Sequence, residues 1–172
     1  MPSVHAMNSA SHVSDLMFET ITHSAKETYR LGQSIGESTK PGMVLALIGD
    51  LGSGKTVLAK GLARGLDVPE KYCITSPTYT LINVYPGRTS FFHVDLYRIA
   101  GHADIEDIGL FDILHENGTV VIEWADRLQA GVLSEYLKVS FAILDDESRR
   151  ISVEAYGHRE ENLLKELTNM RK

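Results

Sequence analysis

MVLALIGDLGSGKT, residues 43–56, decides the fold. Residues 43–49 make a continuous apolar run of strand length, the pattern of a strand buried on both faces of a parallel sheet. GDLGSGKT (49–56) follows directly and fits G-x-x-x-x-G-K-S/T in full, from Gly49 through Gly54 and Lys55 to Thr56. At this chain's own residue frequencies the four fixed positions match by accident about once in a hundred chains. Glycines let the backbone curl so that the amides of Asp50, Leu51, Gly52, Ser53, Gly54, Lys55 and Thr56 converge on anionic oxygens. Leu58, Ala59, Leu62, Ala63 and Leu66 recur at helical spacing. A helix therefore starts at the loop's far end and aims its positive dipole end at the same place. In such a loop Lys55 is expected to bridge the β- and γ-phosphates, with the Thr56 hydroxyl as a magnesium ligand.

On the N-terminal side, DLMFETI (15–21) has strand character, and Ser24 and Glu27 have capping-box spacing for a helix running to about Ser38. On the C-terminal side, TYTLINVY (78–85) and SFFHVDLYR (90–98) flank the turn signal PGRT and predict an antiparallel hairpin. A helix is expected from Ile108 to Asn117, stopped by Gly118, and TVVIEWA (119–125) repeats the buried-strand pattern. YLKVSFAIL (136–144) and RRISVEAY (149–156) flank the polar DDES as a second hairpin, and Leu163, Leu164, Leu167 and Met170 space a last helix. Interleaved helices and strands with two hairpins predict an α/β protein, a P-loop NTPase-like three-layer sandwich with a mixed central sheet. Residues 1–13 are expected to form a disordered tail and 14–172 a single P-loop domain, since 172 residues at 43% hydrophobic content suffice for one core.

A net charge of −6 lacks the basic footprint of a nucleic-acid reader, so direct tight binding of RNA or DNA is disfavoured. Cys73 is the single cysteine, which rules out an intrachain disulfide and a cysteine-based zinc site. No apolar run approaches the roughly 20 residues of a membrane helix. MPSVHAMNSASHVS has no signal-peptide core, and the first arginine is Arg30, against an Arg-rich transit peptide. The expected location is the cytoplasm.

Hydrolysis needs an acid near the magnesium and a group to orient water. Glu123 closes the run VVIE and Asp95 closes FFHVD. On strands neighbouring the phosphate-loop strand, these carboxylates would converge on the ligand crevice of an open α/β sheet. His93 is expected to alternate to the opposite face from Asp95, away from the site. Trp124 beside Glu123 is a core residue, a cover over the nucleotide or a contact for a partner. No N/T-K-x-D motif follows Gly49, which favours adenine over guanine; SAK (24–26) resembles another guanine-reading element but precedes the loop. GQSIG (32–36) matches a hydrolase elbow, yet no strand leads into Ser34, so a Ser34 nucleophile is disfavoured. The seven histidines show no metal-ligand spacing.

Together, GDLGSGKT (49–56), SPTYTLINVY (76–85), FHVDLYRI (92–99), EDIGLFDIL (106–114) and VIEWADRL (121–128) resemble the TsaE (YjeE) ATPases of bacterial tRNA threonylcarbamoyladenosine biosynthesis, in the family's order and spacing. The resemblance implies a small ATPase that joins the partners TsaB and TsaD. That pair transfers a threonylcarbamoyl group to an adenosine beside the tRNA anticodon, and the tRNA is held through the complex. ATP and magnesium would serve turnover of that complex, with the transfer chemistry on TsaD. The resemblance gives phosphate to Lys55 and the loop amides, magnesium to Thr56 and Glu123, and water to Asp95, with Asp95 and Glu123 interchangeable as the metal-side acid. It makes residues 76–79 a switch loop that senses the γ-phosphate through Thr78, and ties Trp124 to activity. Ser53 and Val57 stand where many members have Ala and Thr, and EDIGLFDIL is a looser match. Two alternatives remain: a small-molecule P-loop kinase, disfavoured because residues 99–118 hold no lid arginine, and a nucleotide-gated scaffold that does not hydrolyse.

Overall fold

The computed structural model describes residues 13–170. The tail expected at residues 1–13 therefore lies outside the described residues except for Val13, which opens the first strand. In chain order the elements are β1 (Val13–Thr22), α1 (Ala25–Ser38), β2 (Val44–Ile48), α2 (Lys55–Gly65), β3 (Ile82–Tyr85) and β4 (Phe91–Asp95). They continue as α3 (His102–Asp107), α4 (Leu110–His115), β5 (Thr119–Glu123), β6 (Tyr136–Ile143), β7 (Arg149–Tyr156) and α5 (His158–Asn169). The seven strands form one sheet in the order β1-β7-β6-β2-β5-β4-β3. β2 lies between parallel neighbours β5 and β6, while β3, β7 and β1 add antiparallel partners. The expected mixed sheet is thus present, with β2, the strand that leads into GDLGSGKT, at its centre.

Burial follows the pleat. Leu45, Leu47, Phe91, Val121, Leu137 and Val139 pack toward α1, α2 and α5, and Ala46, Phe92, Val94, Val120 and Ile122 pack beneath α3 and α4. The second helical layer covers only part of its face. Over β6 and β7 the outward residues are half-exposed, with Tyr136 stacked on Tyr156 at 4.6 Å and Lys138 paired with Glu154 at 3.1 Å. Among the described residues no helix is long and apolar enough to cross a membrane.

GQSIG belongs to α1 and serves packing. An added Cβ on Gly61 or Gly65 of α2 would meet the backbone carbonyls of Tyr29 and Gln33, and one on Gly32 or Gly36 of α1 would meet those of Leu58 and Leu62. The two helices therefore touch backbone to backbone. Arg88, in the β3–β4 turn, closes their C-terminal ends by donating to the carbonyls of Gly36 (3.0 Å), Thr39 (3.2 Å) and Gly65 (3.1 Å). These carbonyls lie at helix ends, where intrahelical partners run out.

Three elements differ from the sequence expectation. Strand β3 starts at Ile82, because residues 78–81 turn toward Asp95 through the hydroxyl of Thr78 and Leu81 adopts φ 64°. The helix expected at Ile108–Asn117 is the shorter α4, Leu110–His115, opened by Gly109 at φ 75°, and α3 at His102–Asp107 precedes it as a helix the apolar spacing does not predict. Met170, placed on the apolar stripe of the last helix, is 67% exposed beyond the end of α5.

Glu160, in the first turn of α5, is 2% exposed, and among the described residues its Oε2 has no partner. Burial, helped by nearby Glu135, holds its carboxyl above the ordinary carboxylate value against the pull of Arg159. The folded state thus binds this proton more tightly than the unfolded chain. Its stabilising contribution is full below the unfolded value and is lost as pH rises through the raised one. Glu160→Gln is expected to raise the melting temperature relative to wild type at pH 8, with the gain shrinking toward pH 4; a gain independent of pH would contradict this.

Candidate functional site

The loop between β2 and α2 opens where the central parallel strands end. Gly52 (φ 75°) and Gly54 (φ 104°) take left-handed backbone that L side chains rarely adopt, and this curls residues 50–54 in front of the first turn of α2. Lys55 is 4% exposed, and its ammonium donates to the carbonyls of Gly49 (2.5 Å) and Asp50 (2.8 Å). The same group lies 4.0 Å from the ring centre of Trp124. Burial pushes the Lys55 pKa below that of an ordinary lysine, partly opposed by Glu123, Asp126, Asp95 and Asp50. The Thr56 hydroxyl donates to Oε2 of Glu123 at 2.9 Å.

Both sequence-predicted acids reach this place, by a route that corrects one expectation. β5 neighbours β2, but β4 does not: β5 lies between them. Asp95 arrives because the parallel register pairs it with Glu123, putting the two buried carboxylates on adjacent strands about 4.8 Å apart in the ladder direction. Asp95 is heavily engaged. Its Oδ2 accepts from the hydroxyls of Ser76 and Thr78, and Oδ1 accepts the Tyr97 amide at 2.8 Å.

His93 is the second correction. It was expected to face away from Asp95, yet side chains alternate with period two, so residues 93 and 95 share a face. The fully buried imidazole bonds Glu123 Oε1 through Nε2 at 2.8 Å. Period-two counting alone was enough to find it.

Trp124 sits at φ 60°, ψ 40°, turning the chain out of β5 into a 3-10 turn at Ala125–Arg127. For a residue with a side chain that conformation costs about 1–3 kcal/mol. Here it lays the indole between Lys55 and Tyr97, whose ring centre is 5.1 Å away. Trp124 thus lines the cleft and also packs against the core residues beneath α3 and α4.

These groups line one cleft of about 440 Å³, with Leu51, Ser53, Val57 and Tyr97 completing the walls. A second cleft of about 270 Å³ continues on the other side of the loop. It shares Gly52, Gly54 and Val57 and is closed by Ser24, Ala25, Thr28, Asp146, Glu147 and Arg149. None of these closing residues was named as a site residue, because they lie far from the loop in sequence. SAK was set aside for preceding the loop, although the fold brings Ser24 and Ala25 beside it. Ser34 lies inside α1 with no strand leading to it.

A family model described as threonylcarbamoyl adenosine biosynthesis protein TsaE matches residues 22–151, more than half of the chain. The chain belongs to the TsaE family. It is 42% identical over 134 residues to the tRNA threonylcarbamoyladenosine biosynthesis protein TsaE of Treponema pallidum, spanning 77% of this chain and 97% of that one. The Bacillus subtilis TsaE is 36% identical over 148 residues, 86% of this chain and 91% of that one. The crystal structure of Bacillus subtilis YdiB superposes with a TM-score of 0.72 at 31% identity, over 91% of this chain and 97% of its own. The TsaE match contains the 49–56 loop, Asp95, Glu123 and Trp124, so the cleft lies wholly within the family's shared part.

Proposed function

We propose that this TsaE-family protein binds ATP with magnesium and hydrolyses it in the cytoplasm, supporting turnover of a TsaB–TsaD complex in tRNA threonylcarbamoyladenosine synthesis. The observation that carries the reading is a convergence: the curled loop amides, Lys55, Thr56 and Glu123 meet at a helix N-terminus beside the ends of parallel strands.

The residues fit both groups. The Thr56 hydroxyl and Glu123 carboxylate, 2.9 Å apart, are hard oxygen donors suited to magnesium. Among the described residues no three His, Cys, Asp or Glu side chains gather as a metal cage, so phosphate oxygens would complete the coordination, as is usual for magnesium. When bound, the metal neutralises charge on the transferring phosphate. Lys55 would leave the Gly49 and Asp50 carbonyls for the phosphates, and the second cleft has room for the nucleoside. The absence of a guanine-reading N/T-K-x-D motif favours adenine. Asp95 acts through the loop it holds: with its oxygens engaged by Ser76, Thr78 and Tyr97, it fixes Thr78 where a γ-phosphate would be sensed. Positioning of water by that loop fits this engagement better than proton abstraction by Asp95. A role within a complex, with tRNA held by TsaB and TsaD, agrees with the net charge of −6.

Asp95→Ala separates a hydrolase from a binding scaffold. Misplacing the loop is expected to cut phosphate release by about 100-fold while leaving MgATP affinity within about threefold, since the 50–56 amides, Lys55 and Thr56 are untouched. Unchanged release would remove Asp95 from the reaction. Phosphate release measured alone and with TsaB and TsaD added tests the partnership.

A further inference from the structure

The Asp95–Glu123 pair has a group beneath it that the reading above leaves without a task. We infer that His93 is a positioning residue for the magnesium side of the site, its Nε2–H holding Oε1 of Glu123 so that Oε2 stays turned to the Thr56 hydroxyl. The inference rests on the ATP reading.

The chain of contacts crosses three elements. His93 on β4 meets Glu123 on β5 at 2.8 Å, and Glu123 meets Thr56 on α2 at 2.9 Å. His93 is in register with Val121 and so lies diagonally below Glu123 on the same face, within reach of a long side chain. With both oxygens engaged, the carboxylate has one orientation.

Burial says the bond is the imidazole's purpose. His93 is 0% exposed, and among the described residues its other nitrogen, Nδ1, has no partner. An apolar side chain of that size would leave no orphan atom in the core, and an unsatisfied buried polar atom is costly. Among the described residues the ring's polar contact is with Glu123. A carboxylate oxygen accepts, so the ring donates to it through an Nε2–H. The Phe91 ring, 6.0 Å away and tilted 34°, packs beside the imidazole on the same face. Groups that orient a ligating side chain in this way typically change metal affinity by about 10- to 100-fold when removed.

The test compares His93→Leu, which removes the donor at similar bulk, with His93→Gln, whose amide can place an N–H near Nε2. Binding of a non-hydrolysable ATP analogue is measured by calorimetry across a magnesium series and in EDTA. His93→Leu is expected to need about 10- to 100-fold more magnesium for half-maximal uptake, with wild-type binding in EDTA and most of the loss recovered in His93→Gln. A magnesium dependence equal to wild type in His93→Leu would overturn the inference, as would a His93→Gln variant impaired as badly as His93→Leu. Should His93→Leu fail to fold, nitrogen-15 spectra of the wild-type protein decide. A hydrogen on Nε2 supports the inference, and a bare Nε2 overturns it. Wild-type protein that takes up no nucleotide with magnesium would overturn the ATP reading itself and this inference with it, so the two failures are told apart.

Discussion

Lys55→Ala is expected to lower MgATP affinity by about two to three orders of magnitude, measured by calorimetry on folded protein. The loss corresponds to about 3–4 kcal/mol, within the range for removing one partner of a buried, hydrogen-bonded charge pair. The ammonium is held at 4% exposure by two loop carbonyls and an indole face, so water screens it little. Retained micromolar affinity in the variant would contradict the proposed phosphate role. A pH signature follows from the same burial. Lys55 has a lowered pKa before phosphate arrives, and phosphate charge raises it. Binding therefore takes up protons as pH nears the lowered value, and wild-type affinity falls as pH rises. Lys55→Met, with no titrating group, is expected to lose that proton uptake.

Gly61→Ala is the second large effect, and its sign separates two physical causes. Helix propensity alone favours alanine over glycine by about 1 kcal/mol within a helix. The added Cβ, however, would stand 2.0 Å from the Tyr29 carbonyl oxygen and 2.9 Å from the Gln33 nitrogen. Both obstacles are backbone, so relief requires α1 and α2 to separate. Overpacking of this kind costs about 1–3 kcal/mol or more, and here the upper end is expected to outweigh propensity, lowering the melting temperature by about 5–10 °C. Gly101→Ala serves as the control, because a Cβ there meets nothing within 4 Å. A Gly61→Ala melting temperature at or above wild type would sink the close-packing account. Since α2 also carries Lys55 and Thr56 at its start, the variant is expected to bind nucleotide more weakly as well.

Local patterns carried much of the architecture. The apolar run before Gly49, the helical spacing after Lys55 and the polar DDES turn each reflect forces acting over a few residues, and each element they predicted is present. The failures also share a cause. The 78–85 segment looks like strand by composition, but the Thr78 hydroxyl finds a buried carboxylate 17 residues away and the chain turns to meet it. Gly109, in left-handed backbone, delays the start of α4 to Leu110, two residues after the Ile108 that hydrophobic spacing indicates.

For the site, the amino-acid sequence by itself determined the loop, its lysine and threonine, and two strand-end acids, since a phosphate cradle is a contiguous motif and a strand end is read from the chain. Only the tertiary structure decided which groups share the cleft with them. It paired Asp95 with Glu123 across a strand register, brought Ser24 and Arg149 beside Gly54, and tied Glu123 to His93 and Thr56. Those relations depend on strand order and on helices that meet through bare glycine backbone. Both are settled by burial and packing summed over the whole chain, which no local window of sequence contains.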